Sequence, residues 1–187
     1  MTTSASEKRA QELVLAAYRQ IAERGFEGLR TRDVARSAGV NIATLHYYFP
    51  TKEALIGAVL QHAMERFRTT LEPRGAADSQ LRGYLRATRK LLRDEPELGA
   101  VMSELALRSV RDAGTRKILD EMYAQWFAAV RGLLRRAARE GNLRSDLDSE
   151  STAALIVATL HGLALPQVGD SRRGDQAVRE LERLLGV

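Results

Sequence analysis

Thr31, Arg32, Thr44, His46, Tyr47, Tyr48 and Lys52 gather hydroxyls, phenols, an imidazole and two cations into one short stretch of a 187-residue chain. Donors and positive charge of this kind are what phosphate oxygens bind. Other chemistries find fewer carriers. The chain has 0 cysteines, which removes disulfides, thiolate zinc sites, iron–sulfur clusters and a thiol nucleophile together, and suits a reducing cytosol. Its 3 histidines, at 46, 62 and 161, stand far apart. The sequence holds no His-Glu-x-x-His pair, no Gly-rich phosphate loop and no Ser in a nucleophile elbow. No catalytic residue, metal site or cofactor is therefore expected, and the chain is not read as an enzyme.

The elements that must hold these residues are helices. Prolines at 50, 73, 96 and 166 punctuate a sequence rich in Ala, Leu, Arg and Glu, which are strong helix formers. No segment alternates apolar and polar residues long enough for a convincing strand. The fold class is all-α, with about nine helices. The first runs near 7–24, where Leu13, Val14, Ala17 and Ile21 form an apolar stripe and Gly25 provides the stop. Phe26 and Leu29 then plug the core from a turn. Two very short helices follow near 31–38 and 42–48, too short to stand alone. Thr51 caps a longer helix that begins at Lys52 and ends near Pro73. Further helices fall near 77–93, 97–110, 113–140, 147–165 and 174–185, with breaks at Pro96, at Gly141 with Asn142, and over 166–174. The domain seam is placed at Lys52: residues 1–52 form a three-helix module that carries the phosphate-binding residue types, and 53–187 form a larger helical domain.

Val34, Ala38, Val40, Leu45 and Tyr48 fall where two helices crossing through a tight turn would face each other, and Ala35 is small at the close approach. Gly39 allows the positive φ that ends one helix, and Asn41 caps the next through its side-chain oxygen. These are the needs of a helix-turn-helix, although a Gly-bounded pair of short helices is also often a plain hairpin. The second helix would present Ile42, Ala43, Thr44 and Tyr47 to a DNA major groove, which is wide enough for one helix. Tyr48 is read two ways, as a base reader or as a core residue. Arg30 and Arg36 are read as solvated or as touching the DNA backbone.

The run Gly28-Leu-Arg-Thr-Arg-Asp-Val-Ala-Arg-Ser-Ala-Gly-Val-Asn, with Ala43-Thr-Leu-His-Tyr-Tyr-Phe-Pro-Thr-Lys-Glu-Ala-Leu55, resembles the N-terminal signature of the TetR (tetracycline repressor) family of bacterial transcriptional regulators. The resemblance spans roughly residues 10–60. It implies that Thr31 and Arg32 touch the phosphate backbone, that Thr44 and Tyr47 reach bases and phosphates, and that Lys52 anchors another phosphate. His46 stands where the family commonly has Tyr; an imidazole can still donate to a phosphate oxygen.

In the larger domain, Ile118, Met122, Trp126, Ala129 and Leu133 repeat on one helical face beside Tyr123 and Phe127. Such a stripe is ordinarily plain core. The resemblance implies a small-molecule effector chamber here, lined by Met102, Leu105, Met122, Tyr123, Trp126 and Phe127, with His161 either its polar anchor or a satisfied core histidine. Ala154, Ala158 and Gly162 recur every four residues, which lets a second helix approach closely. Together with Val178, Leu181, Leu184 and Leu185 on the last helix they are expected at a homodimer interface, because the resemblance implies dimerisation through the last two helices; intramolecular packing is the alternative. The implied partners are a palindromic double-stranded DNA operator, a largely apolar effector and a second copy of the chain. Two other classes stay open: a non-inducible DNA-binding protein with a filled core, and a helical carrier or enzyme that merely contains a helix-turn-helix.

Charge is permissive of this reading. The net formal charge is +5, and residues 1–52 carry 8 Lys plus Arg against 5 Asp plus Glu. The first ten residues lack the apolar core of a secretory signal. The apolar run Ala153–Leu165, broken by Thr159 and His161, is short for a bilayer span. A cytoplasmic protein with no membrane partner is expected.

Overall fold

The helix-forming composition is expressed as helices joined by short turns among the described residues. A computed structural model describes residues 5–71, 77–141, 143–144, 146–165, 167–169 and 171–187, and shows nine α-helices and no strand among them. These are α1 (Ala5–Gly28), α2 (Thr31–Ser37), α3 (Ile42–Tyr48), α4 (Lys52–Arg68), α5 (Ala77–Asp94), α6 (Pro96–Ser109), α7 (Ala113–Arg139), α8 (Ser149–Gly162) and α9 (Ser171–Leu185), with a 3₁₀ turn at Thr69–Leu71 after α4. The breaks expected at Pro73, Asn142 and Pro166 lie outside the described residues.

The local signals act as their chemistry requires. Gly25 interrupts α1 with φ +65° and ψ 179°, a conformation essentially reserved for glycine. Gly39 takes φ +67° between α2 and α3. The Asn41 side chain accepts the Thr44 N–H at 2.8 Å, and the Thr51 hydroxyl accepts the Ala54 N–H at 3.1 Å. Asp112 and Asp148 cap α7 and α8 in the same way, at 2.6 and 2.8 Å. Pro96 does not precede its helix but opens it, where its missing N–H costs nothing.

Two apolar clusters hold the bundle. The first joins α1 to α4 with α6 and the start of α7, through residues such as Leu13, Ile21, Phe26, Val34, Leu45, Leu55, Val59, Leu98 and Leu105. The second joins α5, α7, α8 and α9. Because α4 and α6 lie in the same cluster as α2 and α3, residues before and after Lys52 share one core.

Two expectations are corrected in α9. Val178, Leu181 and Leu185 are 4%, 4% and 2% exposed, because the second cluster uses their side chains. They have no surface left for a partner. Gly174 is not a break: it lies buried inside α9, where a Cβ would stand 2.4 Å from the Arg89 guanidinium carbon. Glycine lets the buried Arg89 reach Asp175, Nε to Oδ1 at 2.8 Å, and Arg86 binds Glu182 at 2.7 and 2.9 Å. These ion pairs clamp α9 to α5.

Candidate nucleic-acid interface and candidate ligand chamber

α3 divides its residues by face. Leu45 is fully buried, while Ile42 and Tyr48 are half-buried and pack against the first cluster. Ala43, His46 and Tyr47 point outward, with Tyr47 79% exposed. A phenol left so open on a seven-residue helix has no role in folding it. Tyr47 is steadied instead by an edge-to-face contact with Tyr48, ring centroids 5.1 Å apart, and the Tyr48 hydroxyl accepts from Ser6 Oγ at 3.4 Å. The outward face of α3 is thus Ala43, His46 and Tyr47, with Thr44 at its margin. Thr44 and Asn41 serve the cap first: the Thr44 hydroxyl donates to Asn41 Oδ1 at 3.0 Å, alongside its own N–H.

The flanking polar residues sit at helix starts. Thr31 and the exposed Arg32 open α2, whose N-cap, Arg30, makes no side-chain cap bond. Arg30 is exposed, and Arg36 pairs with Asp33 at 3.1 Å on the surface. Lys52 opens α4 and donates from Nζ to the Phe26 carbonyl at 3.4 Å. That bond was not anticipated, nor were its neighbours. The Phe26 N–H donates to Glu104 Oε2 at 3.2 Å, and the Arg108 guanidinium lies 5.4 Å over the Phe26 ring. The turn after Gly25 is therefore gripped by the N-terminus of α4 on one side and by α6 on the other. Glu104 and Arg108 follow 78 or more residues later in sequence, so no local pattern could reveal them.

Between α4, α6, α7 and α8 lies a chamber of about 450 Å³. Met102, Met122, Tyr123, Trp126 and His161 line it, together with Ala129 and Leu160. The sequence reading missed the wall supplied by α4: Gln61, Met64, Glu65, Phe67 and Arg68. Their helical spacing, with 61, 64, 65 and 68 on one face, was a usable signal. Two expected lining residues are elsewhere. Leu105 is fully buried in the first cluster, because α6 turns it toward α1 and α4. Phe127 lies on the opposite side of α7, in a shallow groove with Ala106, Ala154, Val157 and Ala158. Tyr123 and His161 border both spaces.

Three rings of the lining form a tilted, partly stacked series. Trp126 lies 5.9 Å from both Phe67 and Tyr123, with interplanar angles of 30° and 28°. Its indole N–H donates to the Tyr84 hydroxyl, which fixes the ring from behind. Tyr123 Oη and His161 Nδ1 are 2.7 Å apart. Burial holds the Tyr123 phenol above its ordinary range and the His161 imidazole below its own, so both are neutral near pH 7. The charged lining residues, Glu65 and Arg68, bind each other through two bonds of 2.8 and 2.7 Å.

The outer face of α8 is open. Ala154 and Ala158 are exposed, a Cβ at Gly162 would meet nothing within 4 Å, and Leu155 is 53% exposed. Among the described residues, no group of three or more His, Asp or Glu side chains could hold a metal ion, and no helix is long and apolar enough to cross a membrane.

Residues 13–59 match the family profile of bacterial regulatory proteins of the tetR family, and residues 77–185 match the C-terminal domain of BetI-type transcriptional repressors. The chain is 25% identical over 170 residues to the HTH-type transcriptional regulator PksA of Bacillus subtilis (strain 168), covering 89% of this chain and 82% of that protein. A TetR transcription regulator of Haloarcula marismortui shares the fold with a TM-score of 0.85 at 19% identity, covering 95% and 96% of the two chains. A transcriptional regulator of Saccharomonospora viridis, solved with choline, superposes with a TM-score of 0.75 at 24% identity over 94% of each chain. With the helix-turn-helix, the outward α3 face and both family matches in place, the chain belongs to the TetR family of transcriptional regulators, which bind DNA through the helix-turn-helix and respond to ligands.

Proposed function

We propose that the protein is a homodimeric, cytoplasmic repressor that holds a palindromic operator through α3 and lets go when a small molecule enters the chamber. One observation carries the release mechanism: α4 starts at Lys52, bonded to the Phe26 carbonyl, and its other end lines the chamber. α6 makes a parallel connection, with Met102 in the chamber wall and Glu104 on the Phe26 N–H. A ligand that needs α4 and α6 displaced would tilt the DNA-binding module and move the paired α3 helices out of register with successive major grooves. It must prefer the displaced conformation to do so, since equal affinity for both shifts nothing.

In this reading Thr31, Arg32, His46 and Lys52 meet phosphates, while Ala43, Thr44 and Tyr47 face bases; Asn41 holds Thr44 in place, and Ile42 and Tyr48 seat α3 on the core. The second copy packs on the outer face of α8, through Ala154, Ala158, Gly162 and the exposed Leu155, while α9 contributes surface other than its buried leucines. The chamber favours this reading over a non-inducible protein with a filled core. No catalytic role is assigned. The test is an anisotropy titration against the DNA upstream of the protein's own gene, with random DNA as competitor, and sedimentation of the free protein. A strong preference for the upstream DNA by a dimer is expected. Equal affinity for both DNAs, or a monomer at micromolar concentration, refutes the proposal.

A further inference from the structure

We infer that the chamber selects an uncharged, flat, ring-bearing molecule with a single hydrogen-bonding group, an aromatic alcohol or ketone rather than a quaternary amine or a carboxylate. This rests on the reading of the chamber as the effector site. Three features argue for it. First, Phe67, Trp126 and Tyr123 stand at only about 30° to one another in successive pairs. Trp126 is stacked on Tyr123 and tilted against Phe67, and a further planar ring can extend such a near-parallel series along the chamber, whereas holding an ammonium requires several ring faces turned toward one point. Second, the chamber's interior carries no charged lining residue: Glu65 and Arg68 stand at its solvent-exposed rim, where they bind each other through two bonds. An ionic ligand would be desolvated against Met64, Met102, Met122 and the rings without a counter-ion of its own.

Third, the Tyr123–His161 pair offers one donor and one acceptor in either arrangement. If the phenol donates to Nδ1, Nε2–H is left as donor and the phenol oxygen as acceptor. If Nδ1–H donates to the phenol, the hydroxyl hydrogen and Nε2 exchange those roles. The pair therefore suits a neutral hydroxyl or carbonyl equally. At about 450 Å³ the chamber is of the size that takes a small organic molecule.

The chain has a single tryptophan, and it is Trp126 in this lining. Its fluorescence reports occupancy, and calorimetry gives the affinities, for four probes at pH 7.5: 2-naphthol, 2-methylnaphthalene, 2-naphthoate and choline. 2-Naphthol should bind saturably, about fivefold tighter than 2-methylnaphthalene for one hydrogen bond, and at least tenfold tighter than 2-naphthoate or choline. Tyr123→Phe should erase the advantage over 2-methylnaphthalene, and His161→Gln should reduce it, both with unchanged thermal unfolding of the apolar wall as judged from Trp126. Choline or 2-naphthoate binding as tightly as 2-naphthol overturns the assignment, as does equal affinity for 2-naphthol and 2-methylnaphthalene, or no binding of 2-naphthol. Failure of the regulator reading shows separately, as equal affinity of the ligand-free protein for operator and random DNA.

Discussion

Replacing Gly25 by alanine probes the junction between the DNA-binding module and the chamber domain. Gly25 holds φ +65° and ψ 179°, and forcing an L-residue into that region costs about 1–3 kcal/mol. Space is short as well, since the new Cβ would stand 2.8 Å from Glu104 Oε2. That carboxylate accepts the Phe26 N–H. If it swings away to admit the methyl, the N–H loses a charged partner, worth about another 1–2 kcal/mol. The expected loss in urea unfolding is thus about 2–5 kcal/mol in all, a large share of a typical domain's stability. Glu104→Ala removes the obstacle and should make the two changes less than additive by about 1 kcal/mol. The residual strain of the Gly25→Ala backbone would persist in the double variant. A loss below about 1 kcal/mol for Gly25→Ala, or strict additivity with Glu104→Ala, would refute this account of the junction.

Lys52→Ala should weaken binding to all DNA sequences alike and lower the slope of log K against log salt by about 1.8 for the dimer, about 0.9 for each of its two lost phosphate contacts, measured by anisotropy at several salt concentrations; an unchanged slope removes Lys52 from the phosphate contacts. Tyr47→Ala should change unfolding by no more than about 0.5 kcal/mol yet alter operator preference, whereas Leu45→Ala should cost about 2–5 kcal/mol in urea melts. His161, with its imidazole held below the ordinary value by burial, binds fewer protons folded than unfolded. Stability should therefore be fully present above about pH 6.5 and fall as the pH drops toward the lower folded value, and His161→Gln should flatten that fall in thermal melts.

The elements were legible because their ends are written in local chemistry. Asn41 and Thr51 cap the helices they precede, and Gly25 and Gly39 take positive φ where the chain must turn. The outward position of Tyr47 followed from the same reading, since Leu45 takes the inward face. Apolar patterning says which face is buried but not against what. Val178, Leu181 and Leu185 read equally well as an interface or a core, and the chain's own second cluster uses them. Phe127 and Leu105 likewise pack on apolar surfaces other than the chamber. α4 hid its chamber wall because Leu55, Val59 and Ala63 bury one face while Gln61, Met64 and Arg68 line the cavity with another. Gly174 looked like a stop because its purpose, room for Arg89, lies on a helix far away in sequence.

The central claim is that the outward face of α3 enters the operator. The chain's lack of cysteine allows a single reporter thiol at that face. The alkylation rate of an Ala43→Cys variant, measured free, with operator and with random DNA, compared with a control thiol at the exposed Arg139 at the end of α7 (Arg139→Cys), reads the claim directly. Operator should slow reaction at position 43 many-fold and leave position 139 unchanged, with random DNA giving weaker, salt-sensitive protection. Equal rates at position 43 with and without saturating operator would contradict the account.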